Sequence, residues 1–171
     1  GKIQYVLLEG EAGHQDAIIR TDSVVRTIQS QGIYLEKLSY QFANWNRSQA
    51  ENKMLQLIHQ YGDGIELVLC NNDEMAMGAV DAYEDEGYSL EERPAFFGID
   101  GLDGTLEAVK NDIIQGTVFN DRQGQAEQIA RLATDLFKGN ALSGYDFVNE
   151  RYIFLPYQKV TISNVDTFMN R

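Results

Sequence analysis

Apolar runs of four to seven residues alternate with helix-like stretches of ten to twenty along nearly the whole chain, with Gly or Asn at the joints. No other feature constrains the fold as strongly. The strand candidates are Lys2–Leu8, Tyr34–Gln41, Ile65–Cys70, Ala95–Ile99, Thr117–Phe119 and Arg151–Leu155. Helices are predicted at about 14–31, 47–61, 73–86, 103–112 and 121–138, with a short one at 164–170. Met54, Leu57, Ile58 and Tyr61 recur at i, i+3, i+4 and i+7, and Ile129, Leu132, Ala133 and Leu136 repeat that spacing, so each stretch carries one apolar stripe. Leu67-Val68-Leu69-Cys70 and Phe96-Phe97-Gly98-Ile99 are apolar on both faces, as central strands of a helix-covered parallel sheet must be. The expectation is an α/β fold: a Rossmann-like, mostly parallel sheet of right-handed βαβ units with helices on both faces.

The charge balance narrows what such a sheet could bind. Against 14 Lys+Arg stand 26 Asp+Glu, a net charge of −12 over 171 residues. That argues against nucleic-acid backbones and anionic lipid surfaces, which require a basic face. No window approaches the roughly 18–20 apolar residues of a membrane span. No basic-then-apolar leader opens the chain, so any export signal is expected outside it. A single cysteine, Cys70, cannot form an internal disulfide. The two prolines, Pro94 and Pro156, both sit beside predicted strands.

In a doubly wound sheet the ligand crevice lies at the carboxyl ends of the strands, so the residues that follow each strand carry the information. The first strand runs into Glu9-Gly10-Glu11-Ala12-Gly13-His14-Gln15-Asp16, with Arg20 one helical turn after Asp16. That spacing lets Asp16 and Arg20 pair as a solvated helix ion pair, or lets both serve a ligand. His14 suits a helix cap as well as a ligand contact. Neither the full G-x-G-x-x-G fingerprint nor a G-K-[ST] loop is present, which argues against a nucleotide. Asn71-Asn72-Asp73 follows the third strand; Asn72 or Asp73 can cap the next helix, but three such residues exceed what one cap requires. Asp100 follows the fourth strand and Asn120 the fifth. The only tryptophan, Trp45, stands in a polar loop after the second, where it can be core or an exposed stacking surface. Taken together, His14, Asp16, Arg20, Trp45, Asn72, Asp100 and Asn120 converge on one rim. Carboxylates, amides and a guanidinium beside an aromatic face are what a polyhydroxylated, uncharged ring requires.

These segments resemble the bacterial galactose/glucose-binding proteins, the solute-binding components of ABC sugar importers. The resemblance rests on Gly10-Glu11-Ala12-Gly13-His14-Gln15-Asp16 with Arg20, Asn71-Asn72-Asp73-Glu74-Met75-Ala76-Met77-Gly78, Gly98-Ile99-Asp100-Gly101 and Val118-Phe119-Asn120-Asp121. It runs nearly end to end but covers only the second part of that family's chain. It implies one lobe of a two-lobed clamshell. Residues 1–119 would form the sugar-binding lobe, 120–150 a hinge-crossing segment that packs on the other lobe, and 151–171 the return. Its implied site has His14, Asp16, Arg20, Asn72, Asp100 and Asn120 on sugar hydroxyls and ring oxygen, with Trp45 stacked on the pyranose. A half-site of this kind is expected to bind poorly, since closure excludes water.

The resemblance also implies part of a calcium loop: the Lys2 carbonyl, the Gln4 side chain and a bidentate Glu66. Such a site is incomplete here, so calcium is expected in the full-length parent and not tightly on this stretch. The stripe of Ile129, Leu132, Leu136 and Phe137 would need a cover: the other lobe, a second copy, or the chain folding back. Implied partners are galactose or glucose, the importer's permease and a chemoreceptor that reads the closed form. The location would be outside the cytoplasm, in a periplasm or lipid-anchored at the cell surface. No chemistry is expected. Two rival readings are the effector-binding core of a LacI-type transcription regulator and a glycosidase using Asp16 with Asp100. The latter suffers because Arg20 would neutralise Asp16.

Overall fold

The computed structural model describes residues 1–169. Strand β1 (Lys2–Glu9) lies between β2 (Tyr34–Phe42) and β3 (Leu67–Cys70), and β4 (Ala95–Phe97) flanks β3; all four run parallel. Parallel bridges Phe97–Gly116 and Asp100–Phe119 carry the sheet on to β5 (Thr117–Phe119). Strand β6 (Gln158–Val160) closes it antiparallel to β5. Helices α1 (Gln15–Ser30), α2 (Arg47–Tyr61), α3 (Asp73–Asp85) and α4 (Asp103–Lys110) connect the strands, and α5 (Arg122–Lys138) follows β5.

Strand periodicity sorts the core into two layers. Val6 and Leu8 of β1, with Val68 and Cys70 of β3, face a large cluster that takes in Met54 and Leu57 of α2, Met75 and Val80 of α3, and Leu106 and Val109 of α4. The alternate residues Tyr5, Leu7, Leu67 and Leu69 face a smaller cluster under Val24, Val25 and Ile28 of α1. Helices therefore cover both faces of a mostly parallel sheet, as the apolar runs predict. The α2–α3 contact is close because small residues line it. A Cβ added to Gly78 would stand 2.1 Å from the Arg47 carbonyl oxygen and 3.1 Å from the Ala50 Cβ. Across the same contact, Arg47 grips Asp81 through two bonds, Nε to Oδ2 at 2.5 Å and Nη2 to Oδ1 at 2.7 Å.

The tail departs from expectation. Arg151–Leu155 is not a strand: it makes a lone bridge, Val148–Tyr152, and leaves Tyr152 and Phe154 exposed. The strand that returns to the sheet is Gln158–Val160, because its register against β5 buries Val160 completely. The short terminal helix predicted at 164–170 is a single 3₁₀ turn, Val165–Thr167, and position 170 lies outside the described residues. Helix α5 forms as predicted, capped by Asp121, whose Oδ1 accepts the Gly124 N–H at 2.9 Å, and stopped by Gly139 in the left-handed region. It buries no residue; Ile129, Leu136 and Phe137 all lie open to solvent.

Candidate binding site

At the carboxyl end of β1, period-2 alternation places Glu9 on the α1 side and Gly10 on the side of the large cluster under α2 and α3. Gly10 is the floor for Trp45. The indole lies so close that a Cβ there would stand 2.2 Å from Cε2 and Cζ2. Trp45 has a positive φ of 61°, as does Asn44 at 51°, so the loop after β2 holds two consecutive residues in a region L-residues rarely occupy. The indole is half-buried, packed at its base against the large core cluster. His14 meets it edge-on, ring centroids 5.2 Å apart at 77°, and the Arg20 guanidinium carbon sits 5.6 Å from its centre.

From Arg20 the rim continues. Its Nη1 donates to the Asn71 carbonyl at 2.8 Å and lies 3.7 Å from Asp100 Oδ1. The Asn120 N–H donates to the Asp100 carbonyl at 3.0 Å, which sets the Asn120 amide beside the Asp100 carboxylate, and its Oδ1 accepts from Gln125 Nε2 at 2.6 Å. Burial raises the Asp100 carboxyl above the usual range, while Arg20 and Asn120 pull against it. Its backbone sits at φ 133°, a strained conformation for a residue with a side chain. Asn72 caps α3, accepting the Met75 N–H at 3.1 Å, and its amide donates to the Trp45 carbonyl at 3.4 Å. His14 caps α1, its Nδ1 accepting the Asp16 N–H at 3.2 Å, which leaves the proton of the neutral ring on Nε2.

The structure thus brings His14, Arg20, Trp45, Asn72, Asp100 and Asn120 into one continuous arc, with Asp16 exposed beside His14. One pairing differs from the sequence reading. Arg20 turns from Asp16 toward Asn71 and Asp100, because α1 packs its Arg20 side on the sheet and leaves Asp16 in solvent.

The three polar residues after β3 each have a separate task. Asn71 continues the α1-facing alternation of Leu67 and Leu69, and its Oδ1 accepts the Gly10 N–H at 3.2 Å. Asn72 is the cap. Asp73, fully buried, ties down the loop after β4: its Oδ2 accepts from Gly101 N–H at 2.7 Å and Leu102 N–H at 2.9 Å, and its Oδ1 from Thr117 Oγ at 2.6 Å. Burial pushes the Asp73 carboxyl up to about 6, with the three donors pulling the other way. A carboxyl raised from 3.8 in the unfolded chain stabilises the fold most fully below pH 4. That contribution fades as pH rises through about 6. Between pH 4 and 7 the stability of the wild type relative to Asp73→Asn should therefore fall by up to about 3 kcal/mol. Urea midpoints of the two proteins at both pH values test this, and a pH-independent difference would refute it.

The stretch bearing Lys2, Gln4 and Glu66 lies at the opposite end of β1. Glu66 accepts the Gln4 N–H at 2.7 Å, the Gln4 amide donates to Glu36 at 2.9 Å, and the Lys2 ammonium pairs with Glu36 at 2.5 Å. One carboxylate, one amide oxygen and one carbonyl fall well short of the roughly six to eight oxygens calcium takes. Among the described residues no group of three or more His, Cys, Asp or Glu side chains is placed to hold a metal ion. By themselves these residues do not fit calcium.

Known proteins share this framework. The D-galactose/methyl-galactoside binding periplasmic protein MglB of Haemophilus influenzae is 34% identical over 99% of this chain and 51% of its own length. A xylitol-binding protein of Mycolicibacterium smegmatis is 31% identical over 97% of this chain and 44% of its own length. The crystal structure of an ABC transporter solute binding protein from Bacillus halodurans with bound myo-inositol superposes with a TM-score of 0.83 at 30% identity, covering 98% of this chain and 54% of that one. The chain thus spans about half the length of the relatives it matches. Residues 1–141 match the family model for the periplasmic binding protein domain, and the chain belongs to that family.

Proposed function

We propose that the arc around Trp45 is one half of a cleft for an uncharged monosaccharide, galactose or glucose, in the solute-binding component of an ABC sugar importer. The observation that carries this reading is the half-buried indole over Gly10, edged by His14 and continued by Arg20, Asp100 and Asn120. An aromatic face takes the apolar C–H side of a pyranose, and the ionic and amide groups beside it take vicinal hydroxyls. The likeness to a galactoside-binding relative supports the hexose, and the relatives reported above support a receptor over a transcription regulator. On this reading the protein performs no chemistry, works outside the cytoplasm and delivers its ligand to a membrane permease. No helix among the described residues is long and apolar enough to cross a membrane. Residues 1–119 would supply the lobe and 151–171 the return. The segment 120–150, with its uncovered Ile129, Leu136 and Phe137, would pack against an opposing lobe.

Trp45 is the only tryptophan, so its emission reports on the site directly. Galactose or glucose at millimolar concentration should shift or quench the Trp45 emission, taken as the difference from a Trp45→Phe variant, in the folded two-lobed protein, with xylitol and myo-inositol as comparison ligands. An unchanged spectrum with all four would remove the stacking role, and a response confined to xylitol or myo-inositol would replace the hexose.

A further inference from the structure

Beneath the rim, on the α1 side, two buried polar groups are linked through a half-buried third. Glu9 is 2% exposed and Asn71 equally so, and Thr21 of α1 stands between them. The Thr21 hydroxyl donates to Glu9 Oε2 at 2.8 Å and receives the Asn71 Nδ2 amide at 3.1 Å. A carboxylate only accepts, so the single hydroxyl proton must point to Glu9, and the hydroxyl oxygen must then accept from Asn71. That fixes which way the Asn71 amide faces. Its Oδ1 is left toward the Gly10 N–H, 3.2 Å away. The Asn71 main-chain carbonyl meanwhile receives Arg20 Nη1 at 2.8 Å. One residue therefore holds both the floor of the indole, through its side chain, and the cation beside the indole, through its backbone.

Resting on the sugar-site reading above, we infer that Asn71 is the positioning residue of the rim, oriented by Thr21 and Glu9. A donor chain of fixed direction in a low-dielectric interior is stiff, because reversing any member leaves a buried group unpaired. Stiffness here means that the Gly10 floor and the Arg20 head are set before any ligand arrives.

Thr21→Val keeps the shape and deletes the hydroxyl, whereas Thr21→Ser restores it. In the 171-residue chain without sugar, Thr21→Val should shift Trp45 emission to longer wavelength and raise acrylamide quenching about twofold, as the loosened floor lets water reach the ring. Thr21→Ser should match the wild type in both. Equal spectra for wild type and Thr21→Val, in protein with native far-ultraviolet dichroism, would overturn the assignment, as would a Thr21→Ser spectrum displaced as far as that of Thr21→Val. Should Thr21→Val fail to fold, Thr21→Ala removes the same hydroxyl without the extra methyl and is read by the same signal. Galactose is then titrated by calorimetry into the wild type and Thr21→Val in the full-length, two-lobed protein, because one lobe alone is expected to bind poorly. A wild type that ignores galactose while the Thr21→Val spectrum is displaced refutes the sugar reading and leaves the positioning role standing. A wild type that responds while Thr21→Val is spectrally normal refutes the positioning role alone.

Discussion

Asp100→Gly is expected to bind galactose about a hundredfold more weakly and yet to resist urea slightly better than the wild type. The two effects come from different atoms. The Asp100 carboxylate is partly desolvated, lies 3.7 Å from Arg20 and is held beside Asn120, so it is set as an acceptor in a polar but restricted space. Charge-assisted bonds to ligand hydroxyls contribute about 1.5–3 kcal/mol each, and losing one or two corresponds to roughly a hundredfold in affinity. The Asp100 backbone, by contrast, is held at φ 133° by the Val118 carbonyl, which accepts its N–H at 2.9 Å, and by the Asn120 N–H, which donates to its carbonyl at 3.0 Å. Glycine occupies that conformation without the penalty of about 1–3 kcal/mol a Cβ imposes. It gives back part of that gain through its looser unfolded chain, so a net rise of about 1 kcal/mol is expected. Trp45 fluorescence titration and urea unfolding of the same preparation measure both. Wild-type affinity would exclude Asp100 from the site. A stability loss greater than about 1 kcal/mol would show that the carboxylate, and not strain relief, dominates the energetics of this position.

Gly78→Ala should cost about 3 kcal/mol of unfolding free energy, although alanine is the better helix former by about 1 kcal/mol. Its Cβ would fall 2.1 Å from the Arg47 carbonyl oxygen and 2.9 Å from the carbonyl carbon. Both are backbone atoms, with no rotamer to yield, so α2 and α3 must separate. Separation loosens the packing of Ala50, Met54 and Ala79, all fully buried, and stretches the Arg47–Asp81 pair. Gly104→Ala is the matched control. Gly104 is an exposed glycine of α4 with nothing within 4 Å of its added Cβ, so the change should be neutral or add roughly 0.5 kcal/mol. Opposite signs in thermal or urea unfolding are expected. Equal small effects from both would mean that the α2–α3 contact is looser than described.

Much of the architecture was legible because strand and helix here are written in apolar periodicity. Val68 and Cys70 face one layer while Leu67 and Leu69 face the other, so a run apolar at every position could only be an interior strand. Arg151–Leu155 shows where that signal misleads. Its Tyr152, Phe154 and Leu155 read as a strand, yet among the described residues they pair only through the lone Val148–Tyr152 bridge, whereas the more polar Gln158–Val160 meets the open edge of β5. A strand is a pairing as well as a pattern.

At the rim the same limit applies. Topology predicts that residues following successive parallel strands gather at one edge, and His14, Arg20, Trp45, Asn72, Asp100 and Asn120 do gather there. Residue types alone could not assign Asn71, Asn72 and Asp73 their separate tasks. A tryptophan in a polar loop could likewise have been buried or exposed. The deciding facts are that the indole lies over Gly10 where a Cβ would fall only 2.2 Å from it, and the positive φ of Trp45, in a loop that meets a strand end distant in sequence.

The order of side chains along 171 residues determined which segments bury, which way they alternate, and therefore the α/β layering and the edge where polar groups collect. Only the tertiary structure decided that Arg20 leaves Asp16 for Asn71 and Asp100, that Glu9 sets the direction of a buried hydrogen-bond chain, and that Asp100 carries strain. The physical reason is range. Burial and periodicity act through each residue's own environment and leave their mark locally, whereas hydrogen-bond direction and backbone strain depend on partners that folding alone brings within about 3 Å.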